Sequence, residues 1–164
     1  MTISDFLEKD HLRLEEALRR ATESGDRITP SAFAEFREGL LRHIGMEEKI
    51  LFPEARKAAG GKPLPFMEQL HLDHGALAAL LVPTPNAASI NAIRTILSRH
   101  NTLEEGSHGF YRRFETLPGL DAPAVLARLR AAPPVALNPH NDSPIALESM
   151  QAAVSRAGYA ELVL

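Results

Sequence analysis

The residues best equipped for chemistry in this chain form a doubled phrase, His43-Ile44-Gly45-Met46-Glu47 and His100-Asn101-Thr102-Leu103-Glu104, each preceded by an arginine, Arg42 and Arg99. A His and a Glu four residues apart on a helix lie one above the other on the same face. Each phrase can therefore present an imidazole nitrogen and a carboxylate oxygen side by side. Such atoms are metal ligands, and their doubling suggests a site for two ions. The sequence contains no cysteine, which removes disulfides, thiolate nucleophiles, iron–sulfur clusters and zinc-finger sites. The donors that remain, imidazole, carboxylate and water, suit non-haem iron, manganese or zinc.

The elements that must position these residues can be read from apolar periodicity and helix punctuation. Ser4 as a cap and Gly25 as a stop predict a first helix over about 4–24, with the stripe Leu7, His11, Leu14, Leu18 and Ala21. Thr29-Pro30 and Gly60-Gly61 bound a second over 30–59, with the stripe Phe33, Phe36, Leu40, His43, Glu47 and then Ile50 or Leu51; Pro53 inside it predicts a kink. A third helix follows Pro63 and Pro65 and ends before Pro83, with Met67, Leu70, His74, Leu77 and Leu81 inward. A fourth runs from about 86–89 to Leu117, with Ile93, Leu97, His100, Glu104, His108 and Tyr111 inward. Asp10-His11 in the first helix is echoed by Asp73-His74 in the third, so the first helix pair resembles the second.

The expected architecture is all-α, an up-down-up-down four-helix bundle over residues 1–120. A C-terminal extension over 121–164 adds a short helix from Asp121 to Ala132, a loop rich in Pro and Asn, and a last helix from Ile145 to Ala157. The sticky side of that last helix, Ile145, Met150, Ala153 and Val154, is expected to dock on the bundle or on a second copy of the chain, giving a candidate homodimer.

Every expected stripe is interrupted by a histidine, and two of them also by a glutamate. A buried ionised carboxylate without a partner costs several kcal/mol or is neutralised, and two close together repel. Metal cations resolve both problems. His11, His43, Glu47, His74, His100 and Glu104 are thus the candidate ligands, with His71 and His108 as further candidates. His71 is one turn from His74, and His108 is one turn from Glu104, where it could be a ligand, a hydrogen-bond donor or a proton relay. Tyr111 could hydrogen-bond a bound oxygen species or simply pack in the core. Glu48 and Glu105 turn away from their histidines on helical geometry, to support them from behind or to face solvent, and Arg42 and Arg99 are expected to face water.

The order His11, His43-x-x-x-Glu47, His74, His100-x-x-x-Glu104, with one element per helix, resembles the hemerythrin-like (HHE cation-binding) domains over roughly residues 4–117. Glu47-Glu48-Lys49-Ile50-Leu51-Phe52-Pro53 is similar to the family's usual sequence after its second-helix ligands. The resemblance implies a four-helix bundle holding two non-haem iron ions linked by an oxo or hydroxo bridge, with manganese or zinc as other occupants. It also implies His11, His43, His74 and His100 as nitrogen ligands and Glu47 and Glu104 as bridging carboxylates. The invertebrate oxygen carriers use five histidines with one Glu and one Asp, the Asp five residues after its His. Here Glu104 stands at four, so the chain resembles the four-His, two-Glu branch. That branch includes proteins linked to nitric oxide and oxidative stress, iron-centre repair, peroxide removal and iron or oxygen sensing.

Composition narrows the partners. With 45% hydrophobic and 24% charged residues in 164, the chain reads as one ordinary globular domain, and a formal charge of -3 provides no basic patch for nucleic acid. No apolar run approaches the roughly 20 residues that span a bilayer, and the acidic start differs from a signal peptide, so neither a membrane nor export is expected and the cytoplasm is the expected location. The expected function is binding of a small ligand, dioxygen, nitric oxide or peroxide, at a di-iron centre. Peroxide- or nitric-oxide-consuming activity is one reading, and a non-catalytic oxygen or iron sensor is the alternative. Phosphate-binding glycine loops, zinc-protease phrases and serine elbows are missing, and the ferritin-type arrangement uses Glu-x-x-His rather than the His-x-x-x-Glu of the doubled phrase, so a ferroxidase of that family is not expected.

Overall fold

The computed structural model describes all residues, 1–164, and shows an all-helical chain. Its elements are α1 (Ile3–Thr22), α2 (Pro30–Met46), a π turn (Glu47–Leu51), α3 (Phe52–Ala58), α4 (Met67–Leu80), α5 (Ala87–Glu104), α6 (Phe110–Glu115), α7 (Ala122–Arg130) and α8 (Pro144–Arg156). None of these helices is long and apolar enough to cross a membrane.

The chain divides into two compact units, Met1–Met67 with Glu104–Leu137, and Glu68–Leu103 with Asn138–Leu164. The first part of the extension, with α7, belongs to the first unit, and α8 belongs to the second. The reason lies in the backbone partners these segments find. Arg42 Nε donates to the Ala132 carbonyl at 2.9 Å, and the Val135 N–H donates to Glu38 Oε1 at 2.9 Å. In the second unit the Asn141 N–H donates to the Val82 carbonyl at 3.0 Å, and Asp142 accepts from the Thr84 N–H and hydroxyl, each at 2.8 Å.

In the first unit α1 packs along α2, and the expected stripes are buried: Leu7, His11, Leu14, Leu18 and Ala21 on α1, and Phe33, Phe36, Leu40 and His43 on α2. The cap of α1 is Thr2 rather than Ser4. Its hydroxyl accepts from the Asp5 N–H while Asp5 accepts from the Thr2 N–H, a reciprocal arrangement that satisfies two otherwise orphaned donors. Ser4 is buried instead.

The irregularity expected at Pro53 takes the form of a π turn just before it. Proline has no N–H to offer the carbonyl four residues back, and its ring crowds that carbonyl. Here the Phe52 N–H reaches back five residues to Glu47, and Pro53 falls in the first turn of α3, where a missing N–H costs nothing. The wider turn keeps Glu47, Leu51, Phe52 and Ala55 all buried, so the irregular segment begins at the carboxylate itself.

In the second unit α4 buries Leu70, His74, Leu77 and Leu80, and α5 buries Ile93, Ile96 and His100. Ile96 takes the deep position expected for Leu97, which is half-buried. Met150 and Val154 supply the buried side of α8, as its sticky face suggested, while Ile145 is exposed.

The expected fourth helix is broken. It ends at Glu104 and resumes at Phe110, with Gly106 at φ +80, a conformation that favours glycine. Gly109 is required for a different reason, because a Cβ there would run into the carbonyl oxygens of Glu104 and Glu105. His108 sits on this turn and is exposed, so the stripe predicted through it does not exist, whereas Tyr111, two residues beyond the close approach, is fully buried. Gly109→Ala is therefore expected to destabilise the protein by about 2–4 kcal/mol, by forcing the break open. Gly45→Ala, in helical backbone with nothing within 4 Å of the added Cβ, should be neutral or stabilising by up to about 1 kcal/mol. Urea unfolding of the two variants checks the contrast.

Candidate metal centre

The first unit brings four of the sequence-predicted ligands to one place. His11 comes from α1, His43 from the last turn of α2, Glu47 from the start of the π turn and Glu104 from the last residue of α5, and all are buried. His11 Nε2 lies 3.0 Å from His43 Nε2 and 3.3 Å from Glu104 Oε2, and His43 Nε2 lies 3.8 Å from Glu47 Oε1. His11, His43 and Glu104 each offer a ligand atom within 4.8 Å of the others. The π turn thus leaves the expected i, i+4 pairing of His43 with Glu47 in place.

The outer nitrogens of these rings are tied down. Asp10 Oδ2 accepts from His43 Nδ1 at 2.8 Å, and Glu105 Oε1 accepts from His11 Nδ1 at 2.6 Å. Burial pushes the Asp10 carboxyl up, but its hydrogen bond to His43, the His43 charge and Arg13 outweigh it and hold the group down at about 2. An ionised Asp10 can only accept, so a hydrogen sits on His43 Nδ1, which leaves Nε2 as the ring nitrogen that would bind a metal ion.

The second unit repeats the pairing. His74 on α4 and His100 on α5 are buried with ring centroids 4.8 Å apart, and Asp73 Oδ2 accepts from His100 Nδ1 at 3.2 Å. Asp73 is itself held by Gln69 Nε2 at 2.8 Å and by the Tyr159 hydroxyl at 2.9 Å, and Gln69 also donates to the Ala157 carbonyl at 2.9 Å. Tyr159 lies beyond α8 under the guanidinium of Arg99, 5.3 Å from its ring centroid, and burial with the Asp73 contact raises its phenol. In each unit the Asp before one histidine orients the histidine of the next helix.

Tyr111 joins the first cluster. Its hydroxyl lies 2.7 Å from Glu47 Oε1 and 3.0 Å from Glu104 Oε2, with His11 Nε2 at 3.2 Å and His43 Nε2 at 3.4 Å. Burial, then the charges of Glu104 and Glu47, raise its pKa well above the ordinary tyrosine value, so in the metal-free chain it is a hydrogen-bond donor. Phe110 stands beside it and packs edge-on against Phe52, with ring centroids 5.2 Å apart.

The remaining candidates fall elsewhere. His71 and His108 are exposed, and neither is brought into these clusters. Arg42 binds the Ala132 carbonyl, and Arg99 is exposed and stacks on Tyr159. Asp10 and Asp73 carry roles that helix spacing did not assign. Their signal was present as the repeated Asp-His dipeptide, but the partner of each acid is on another helix and invisible to a one-helix pattern.

The donor set of the first unit fits a cation. Ligand atoms bound at about 2.0–2.2 Å to one ion stand roughly 3–3.6 Å apart, which matches His11 to His43 and His11 to Glu104. Without a cation a proton provides the positive charge. Burial disfavours it, but hydrogen bonds to Glu104 and Glu105 and the charges of Glu104 and Glu47 push the His11 pKa up to about 10.

A helical protein with buried imidazoles and carboxylates converging in this way is a metal-binding domain in class. The model of the hemerythrin HHE cation-binding domain matches residues 2–107, well over half the chain, and the chain belongs to that family, with the four-His, two-Glu pattern at its buried positions. Neither a curated protein nor a solved structure matches it.

Two outcomes follow. In the metal-free chain His11 has a folded pKa above the unfolded 6.5, so its contribution to stability is complete below about pH 6.5 and is lost as pH rises through about 10. Urea midpoints should fall across that window, and His11→Gln should flatten the decline. Tyr159→Phe removes a buried donor from Asp73 and should cost about 1 kcal/mol in the same measurement.

Proposed function

We propose that this protein is a non-haem di-iron protein that binds a small ligand, dioxygen, nitric oxide or peroxide, in oxidative or nitrosative stress or in iron and oxygen handling. One ion is assigned to His11, His43, Glu47 and Glu104, and a second has His74 and His100 among its donors. The observation that carries this reading is the full burial of Glu47 and Glu104 beside imidazole nitrogens, in a cation-binding family. Iron, when bound, supplies a redox-active Lewis acid with a position open to a small ligand.

The chain's own residues do the rest. Asp10, Glu105 and Asp73 fix the rings by their outer nitrogens, which raises their basicity and spares the rotamer entropy of ordering them at binding. Tyr111 places a polar hydrogen at the inner face of Glu47 and Glu104. Phe52, Phe110 and Phe114 are wholly buried and keep water from that side.

A second reading, a sensor without turnover, is favoured by one observation. Tyr159, outside the residues matched by the family, touches Asp73, which holds His100, so the C-terminal segment is linked by hydrogen bonds to a proposed ligand. Freshly purified protein from an iron-replete culture should carry about two iron ions per chain. His43→Ala should lower that content by at least half, and an iron-free, colourless wild type would sink the proposal. Sustained consumption of hydrogen peroxide or nitric oxide favours an enzyme, and stoichiometric binding alone favours the sensor.

A further inference from the structure

The phenol oxygen of Tyr111 stands among four ligand atoms rather than beside one acceptor. A hydroxyl has a single hydrogen and needs only one acceptor, yet Oη lies within 2.7 Å of Glu47 Oε1, 3.0 Å of Glu104 Oε2, 3.2 Å of His11 Nε2 and 3.4 Å of His43 Nε2. Those four are themselves neighbours, with His11 to His43 at 3.0 Å, His11 to Glu104 at 3.3 Å and His43 to Glu47 at 3.8 Å. Donors bound to one ion at about 2.1 Å are separated by roughly 3.0 Å at right angles and 3.6 Å at trigonal angles. These seven separations fall in or close to that range, and His11, His43 and Glu104 offer ligand atoms all within 4.8 Å of one another, as expected of atoms surrounding a common point.

All five lie in the first unit, and Tyr111, Glu47 and Glu104 are inaccessible to solvent, so water does not compete at their inner faces. The break between α5 and α6 creates the arrangement, because it brings a side chain seven residues after Glu104 back to that carboxylate.

We propose that Tyr111 is a fifth protein ligand of the ion held by His11, His43, Glu47 and Glu104, bound as phenolate when the ion is ferric iron. The proposal rests on the metal-site reading above. On binding, the phenol O–H bond breaks, its proton leaves to solvent, and an oxygen lone pair forms the bond to iron, with no electron transferred. Three anionic oxygens and two imidazoles then occupy five positions, which favours the ferric over the ferrous state and leaves one position open on a six-coordinate ion.

The test is resonance Raman and visible absorption of the full chain loaded with ferric iron, alongside Tyr111→Phe and Tyr159→Phe. Because the sequence holds only two tyrosines, the variants identify the source of any tyrosinate signal. Wild type and Tyr159→Phe should show tyrosinate ring vibrations enhanced in a phenolate-to-iron charge-transfer band. Tyr111→Phe should bind iron without that band, and should lose it to a chelator at least tenfold faster. Iron-loaded wild type without tyrosinate vibrations, or a Tyr111→Phe protein that keeps them, overturns the assignment while leaving the metal site standing. A wild type that takes up no iron overturns both.

Discussion

Burial of two carboxyl groups, Glu47 and Glu104, in the first unit is the constraint on which the surrounding structure depends. Glu47 and Glu104 have no solvent exposure, and a carboxylate removed from water needs a cation, a proton or donated hydrogens to remain there. Three nearby features answer that need. His11 carries a pKa raised to about 10, Tyr111 gives its hydroxyl to the carboxylates, and the nitrogen and oxygen atoms are spaced as around a metal ion. The proton and the metal are competing solutions to one electrostatic problem, so metal binding and protonation of this cluster are linked.

Two backbone irregularities serve the same cluster. The π turn begins at Glu47, and the break after Glu104 begins where that carboxylate ends its helix. Each departs from α geometry beside a proposed bridging carboxylate, and each has a local chemical cause. Pro53 removes a donor from one helix, and Gly106 with Gly109 permits a turn that other residues would obstruct. The irregularity is confined to a few residues while α1 and α2 remain regular and carry His11 and His43.

Outside the cluster, acids act as orienting groups for imidazoles. Asp10 with His43 and Asp73 with His100 are the same device in the two units, reinforced by Arg13 in one case and by Gln69 and Tyr159 in the other. The difference makes the second unit's histidine dependent on the C-terminal segment, whereas the first relies on an exposed arginine. A segment outside the matched family residues has thereby become part of the support of a buried imidazole that is a proposed ligand.

Periodicity alone was enough to place His11, His43, Glu47, His74, His100 and Glu104 on buried faces, because helical repeats of 3.6 residues translate directly into which side chains leave water. The proline start at Pro30 and the start of the short helix at Asp121 were equally local and equally legible. Continuity through Gly106 was not, since two weak helix formers reduce a helix without saying where the chain goes next. His108 was consequently read inward and lies exposed, and the reach of Tyr111 to Glu104 depended on a turn that no single-helix pattern describes. The orienting roles of Asp10, Asp73 and Tyr159 were set by tertiary structure too, because a hydrogen bond across 33, 27 or 86 residues depends on how helices pack against each other. Sequence by itself determined the imidazole and carboxylate types and the faces they occupy; the packed chain decided which hydrogen bonds aim them, because burial follows from local repeat while direction follows from neighbours distant in the chain.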